Sequence, residues 1–146
     1  MYKKILVPLD GSERAEKILP HVKDYAVQHE SLVIFLQVIE PGVIDTNPFD
    51  ANPELAAKAA REHAKEVSHY LSQCEEDFRS KDIRTEQRVL RGPVVATILD
   101  VAEGAGVNLI ALASHGRTGL ARVFYGSVAA GVLNRIDRPL FLIRSN

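Results

Sequence analysis

Cysteine is nearly missing from this 146-residue chain, where Cys74 stands alone, and tryptophan is missing altogether. No disulfide can form within the chain, so stability must come from burial. At this length folding can remove about 68 to 70% of the unfolded surface from water, enough for one well-packed core and not for two full domains. One domain over residues 1–146 is expected. Blocks of like charge are also lacking: 18 Lys plus Arg against 19 Asp plus Glu give a formal charge of −1, which argues against a nucleic-acid reader or a polybasic membrane anchor. Long apolar runs are absent too. The first one, after Met1-Tyr2-Lys3-Lys4, is ended by Pro8 and Asp10, far short of a secretion leader or a spanning helix. A reducing cytoplasmic interior is therefore the expected location. No internal repeat, low-complexity tract or Walker A sequence occurs, and Gly104-Ala105-Gly106 lacks the third glycine of a dinucleotide fingerprint and joins a helix to a strand, the wrong order.

What is present is an alternation of short apolar runs and long amphipathic stretches. Ile5 to Val7, Leu32 to Ile39, Leu109 to Ala113 and Leu140 to Ile143 are continuous apolar runs of strand length, the signature of strands buried on both faces. Ile83, Thr85, Gln87 and Val89 instead alternate with Arg84, Glu86 and Arg88, which reads as an edge strand with one charged face. Between the runs, Ala15, Ile18, Leu19, Val22, Tyr25 and Ala26 predict a helix from about residue 13 to 29, kinked at Pro20 where the bond to the Glu16 carbonyl is lost. A second helix should start near Pro53 and run towards Arg79 on a seam of Ala57, Ala60, Ala64, Val67, Leu71, Cys74 and Phe78. Gly92-Pro93 opens a third helix, closed by Gly104 and Gly106, and a fourth follows Gly126 and stops before Arg138-Pro139. The segment from Pro41 to Asn52 reads as a loop. The order β-α-β-α-β-α-β-α-β without a hairpin signal makes an open, five-stranded parallel α/β sheet with helices on both faces.

Ligands of such sheets bind beyond the carboxyl ends of the strands, where the winding reverses. Two loops there carry unusual chemistry: Pro8-Leu9-Asp10-Gly11-Ser12, and Ser114 to Tyr125 leading into Gly126-Ser127 at a helix start. Glycines let backbone amides turn inward, and a helix N-terminus offers unpaired N–H groups and a partial positive charge, so the second loop is an anion cradle in outline. Ser127 can cap its helix or donate to a phosphate. Asp10 can bond ribose or adenine groups, or hold a turn that caps the first helix. Arg117 and Arg122 can pair with phosphate or stay solvated. His63, Glu66 and His69, spaced i, i+3 and i+6, are expected on a solvated helix face rather than around a metal. Cys74 in its apolar seam is expected to be an inert core residue.

These residues resemble the universal stress protein family, in particular its ATP-binding branch. That family's pattern is Gly, two residues, Gly, nine residues, Gly, then Ser or Thr; Ala113, Gly116, Gly126 and Ser127 occupy the matching positions, with residues 117–125 as the spacer. Lys3 to Ser12 is similar to the family's first strand and turn, and Arg138-Pro139-Leu140 to its closing strand, so the resemblance covers essentially the whole chain. It implies a Rossmann-like fold of the adenine nucleotide alpha hydrolase type with strand order 3-2-1-4-5. It further implies that Pro8, Leu9 and Asp10 line the nucleoside end of an ATP site, that Val38 offers backbone contacts to adenine, and that Leu112 and Ala113 border the ribose. Gly116, Arg117, Gly126, Ser127 and Val128 would surround the phosphates, with Mg²⁺ shared with the phosphates rather than caged by protein. Ala113 departs from the pattern, adding a methyl where the family has its first glycine.

The function implied is a small ATP-binding regulatory or stress-response protein, with a nucleotide-free interaction module of the same fold as the alternative. No general base is evident, so ATP hydrolysis should be slow at most. The Leu140 to Ile143 strand has little charge to protect it as a sheet margin, and a symmetric homodimer through residues 139–144 is expected; the resemblance implies the same arrangement. No nucleic-acid or membrane partner is expected, and the protein partner is not legible.

Overall fold

A strand covered on both faces needs apolar residues on both sides of its pleat, and β1 (Lys4–Pro8) has them: Ile5, Leu6 and Val7 are all fully buried. The computed structural model describes residues 1–41, 52–115 and 126–145. After β1 come a 3-10 turn (Ala15–Ile18), α1 (Leu19–His29), β2 (Leu32–Ile39), α2 (Pro53–Arg79), β3 (Thr85–Arg91), α3 (Val94–Gly104), β4 (Leu109–His115), α4 (Ser127–Arg135) and β5 (Leu140–Ser145). The strands form one sheet in the order β3-β2-β1-β4-β5, every neighbouring pair parallel.

Because side chains alternate across a strand, the sheet builds two separate cores. Ile5, Val7, Val33, Phe35 and Ala111 face Val22 and Ala26 of α1 and Val67, Leu71 and Phe78 of α2. Leu6, Ile34, Leu36, Ile110 and Leu112 face Ile98, Val101 and Ala102 of α3 and Ala129 and Val132 of α4. Phe35 and Phe78 meet edge to face with ring centroids 5.0 Å apart, the arrangement their quadrupoles prefer.

The β1 and β4 strands are paired only briefly, through Ile5 with Leu109 and Leu6 with Ile110, whereas β1 and β2 stay in register from Lys4 to Pro8. Pro8 accounts for the difference. The Leu9 N–H donates to the Leu36 carbonyl of β2, so the residue before it turns its backbone towards β4, and proline has no N–H to give. The two central strands part above this point.

Three expectations need correction. Pro20 does not kink a long first helix: residues 15–18 form a 3-10 turn and α1 starts at Leu19, which places Pro20 in the first turn, where a missing N–H costs nothing. The α2 seam is covered only over its second half; Ala57 is exposed, Ala60 and Ala64 are half-buried, and full burial begins at Val67. Asn52, expected as the end of a loop, is the α2 cap, its Oδ1 accepting the Glu54 N–H at 3.0 Å. The rest of that loop, residues 42–51, lies outside the described residues. Cys74 is half-buried beside Tyr70, and burial pushes both the thiol and the phenol up from their ordinary values.

β3 is an edge, and polar groups tie it to α2. The Glu75 carboxylate is buried and accepts from Arg79 Nη2 at 2.7 Å, Thr85 Oγ1 at 2.5 Å and Gln87 Nε2 at 2.8 Å. Gln87 also donates to Ser72 Oγ at 2.9 Å and accepts from Ser68 Oγ at 2.8 Å. Among the described residues no helix is long and apolar enough to cross a membrane. Glu75→Ala removes the shared acceptor of Arg79, Thr85 and Gln87 and should lower the unfolding free energy by about 2 to 3 kcal/mol, with Glu75→Gln costing roughly half as much; urea unfolding followed by circular dichroism measures both, and an unchanged midpoint for the alanine variant would refute the role given to this cluster.

Candidate functional site

Above the point where β1 and β4 part, at the carboxyl ends of β1, β2 and β4, lies a cleft of about 330 Å³. Its two sides differ because they belong to opposite faces of the sheet. On the α3 and α4 side the wall is apolar, made by Val38, Val94, Ile98, Leu112, Val128 and Ala129. On the α1 and α2 side the apolar groups Leu9, Ala15 and Ile39 are joined by Ser12, Arg14, Gln37 and His63, with Glu40 at the rim.

Pro8, Leu9, Asp10, Val38, Leu112, Ala113, Gly126 and Val128 all line this one cleft. Asp10 performs its structural role: its Oδ1 accepts the Ser12 N–H at 2.9 Å and the Ser12 hydroxyl at 2.5 Å, and Ser12 Oγ in turn accepts the Ala15 N–H at 3.1 Å, which caps the 3-10 turn. No described residue bonds its second oxygen, and the carboxylate still borders the cleft.

Gly126 is the N-cap of α4, with φ +83° and ψ 155°. That conformation is open to glycine and to almost nothing else. It frees the N–H groups of Ser127, Val128 and Ala129, since the first intrahelical bond is Ala130 N–H to the Gly126 carbonyl. Ser127 is thus the first helical residue rather than the cap; it is exposed, and its hydroxyl makes no capping bond among the described residues. Gly116, Arg117, Arg122 and the rest of residues 116–125 lie outside the described residues.

Ala113, the departure from the glycine pattern, sits inside β4, in register with Ile143 of β5, and is not among the residues with positive φ. Its backbone is therefore extended and carries a Cβ without strain. Gln37 Oε1, in the lining of the cleft, is buried without a hydrogen-bond partner, an arrangement whose cost is usually recovered by a ligand or water.

His63 was expected on a solvated face and instead lines the cleft, 3.8 Å from Glu66 at Nδ1, while His69 lies with Gln73 on the exposed side of α2. A signal for this was available, since His63 is three residues after Ala60 and four before Val67 and so borders the inner seam. Gln37 was likewise detectable as the one polar residue within the apolar β2 run. Among the described residues no three His, Cys, Asp or Glu side chains converge as metal ligands.

The family model described as the Universal stress protein family matches residues 1–144. Universal stress protein MJ0577 of Methanocaldococcus jannaschii is 31% identical over 160 aligned residues, covering 99% of this chain and 96% of its own. Its solved structure superposes with a TM-score of 0.81 over 100% of this chain and 98% of its own, at 30% identity. Two more distant structures share the fold: a universal stress protein in complex with cAMP, at 16% identity and TM-score 0.72 over 99% of this chain and 98% of its own, and one from Archaeoglobus fulgidus in complex with dAMP, at 21% and 0.67 over 97% and 98%. With the strand order, the central cleft and a match over nearly its whole length in agreement, the chain belongs to the universal stress protein family.

Proposed function

We propose that this chain binds an adenine nucleotide in the cleft, with ATP and Mg²⁺ as the resident ligand, and acts as a small nucleotide-dependent regulatory or stress-response protein. The observation that carries the reading is the polarity of the cleft. An apolar wall suited to a planar base lies on one side, and the unpaired amides at the start of α4 and the φ +83° glycine suit oxyanions at the same opening. The cAMP and dAMP complexes of the two distant relatives support an adenine ligand.

In this reading the base lies between Val38 and Leu112, against Val94 and Ile98, with the backbone of Val38 bonding its edge. Pro8, Leu9 and Asp10 border the nucleoside, and the free Asp10 oxygen is an acceptor for ribose hydroxyls. Gly126, Ser127 and Val128 offer amides to phosphate, and Gly116 and Arg117 complete that end. Mg²⁺ would neutralise phosphate charge while held mainly by phosphate oxygens. Bound nucleotide then changes the order of the surrounding loops and so the surface presented to a protein partner.

The reading extends to assembly. The β3 margin carries Glu86, Arg88 and Arg91, while β5 presents Leu140, Leu142 and Ile143 half-buried and Phe141 40% exposed. A margin whose only charge is Arg144 invites pairing with a second copy, and a homodimer through residues 139–144 is part of the proposal.

Equilibrium titration with ATP and Mg²⁺ tests the site. Wild type should bind below millimolar ATP, Ala113→Gly should change affinity by less than about fivefold because the extended backbone already accepts the methyl, and Gly126→Val should weaken binding by about 5- to 150-fold through strain at the cap. No binding by wild type at millimolar ATP would favour a nucleotide-free interaction module. Sedimentation tests the assembly: Leu142→Lys should run as a monomer and wild type as a dimer, and a wild-type monomer would end that part of the proposal.

A further inference from the structure

Arg14 opens the 3-10 turn, half-buried in the wall of the cleft, and no described residue pairs with its guanidinium. The acids nearest at hand do not serve it: Asp10 Oδ1 is turned to Ser12, and Glu40 stands exposed at the β2 end. Partly desolvating a cation without a partner is unfavourable, and a rigid fork of five N–H donors has carboxylates and phosphates as its natural acceptors.

Its place in the fold narrows the choice. The turn behind Arg14 packs on β4 and β5 from the α1 side of the sheet, at the strand from which residues 116–125 depart. Gly126 and the first residues of α4 border the same cleft, with α4 packed on the opposite face. A tetrahedral oxyanion resting on the α4 amides would therefore be open on the side from which Arg14 comes.

We propose that Arg14 is a phosphate-binding residue of the cleft, gripping a phosphate oxygen from the α1 side while the α4 amides hold the group from the other. Arg14 lies outside the glycine-spaced loop, in the segment after β1, so the grip reaches the anion site from a second element, separate from Arg117. The inference rests on the nucleotide reading above and adds to its phosphate end a cation from the α1 side of the cleft.

Wild type, Arg14→Ala and Arg14→Lys, each checked by thermal melting, should be titrated by calorimetry with adenosine, with ATP and Mg²⁺, and with inorganic tripolyphosphate. The alanine variant should lose about 10- to 100-fold in affinity for ATP and tripolyphosphate, and adenosine should stay within about twofold. The lysine variant should recover part of the loss, because the charge returns without the fork. Unchanged ATP affinity in Arg14→Ala, or equal weakening of adenosine and ATP, would overturn the proposal. If wild type held tripolyphosphate through Arg14 yet bound neither adenosine nor ATP, the adenine reading would fail and the anion grip would stand; if it bound none of the three, both would fall.

Discussion

The missing N–H of Pro8 is the constraint on which the rest of the molecule turns. A fully zipped sheet would bring the ends of β1 and β4 together and leave only a shallow dent at the reversal of winding. With the ladder stopped after Leu6 and Ile110, the strands splay, Leu9 stays committed to β2, and a hollow opens along the sheet's carboxyl edge. Nothing flexible is required. The opening is a property of one covalent ring at one register position, held in place by a core in which Ile5, Leu6 and Val7 are sealed from solvent.

That hollow straddles both faces of the sheet, which explains why its walls are so unlike. Side chains from the even positions of β1 and β4 belong to the α3 and α4 core, those from the odd positions to the α1 and α2 core. The first set is apolar to the rim. The second gives way at the rim to Ser12, Arg14, Gln37 and His63. Ala113 lies on the α1 and α2 side, and its extended backbone carries a methyl without strain, whereas Gly126 holds a positive φ.

Much of the architecture was legible in the chain. Continuous apolar runs marked β1, β2 and β4 as buried and strict alternation marked β3 as an edge, because those two patterns follow directly from how many faces are covered; the fourth run, Leu140 to Ile143, expected to be buried on both faces, is instead the other edge strand, half-buried with Phe141 40% exposed. Strand order needed the resemblance, since periodicity carries no information on neighbours. Pro20 misled because a three- and four-residue stripe cannot distinguish one helix from a 3-10 turn followed by a helix. The loop motifs pointed to Pro8, Asp10 and Gly126, yet Arg14, Gln37 and His63 come from a turn, a strand and a helix far apart in sequence, and only the closure of the fold makes them neighbours. The buried Glu75 was hidden for a related reason: its partners Thr85 and Gln87 lie across a chain reversal.

The long second helix is anchored unevenly. From Val67 onward it is held by Leu71, Phe78 and the Glu75 cluster, while from Pro53 to Glu66 no residue is fully buried. Amide protons in the first half should exchange with solvent through openings far smaller than global unfolding, and those in the second only when the domain comes apart. His63 projects from the loosely held half into the hollow. The half of α2 that borders the hollow is thus the half that opens most readily, while the buried layers beyond Val67 stay closed.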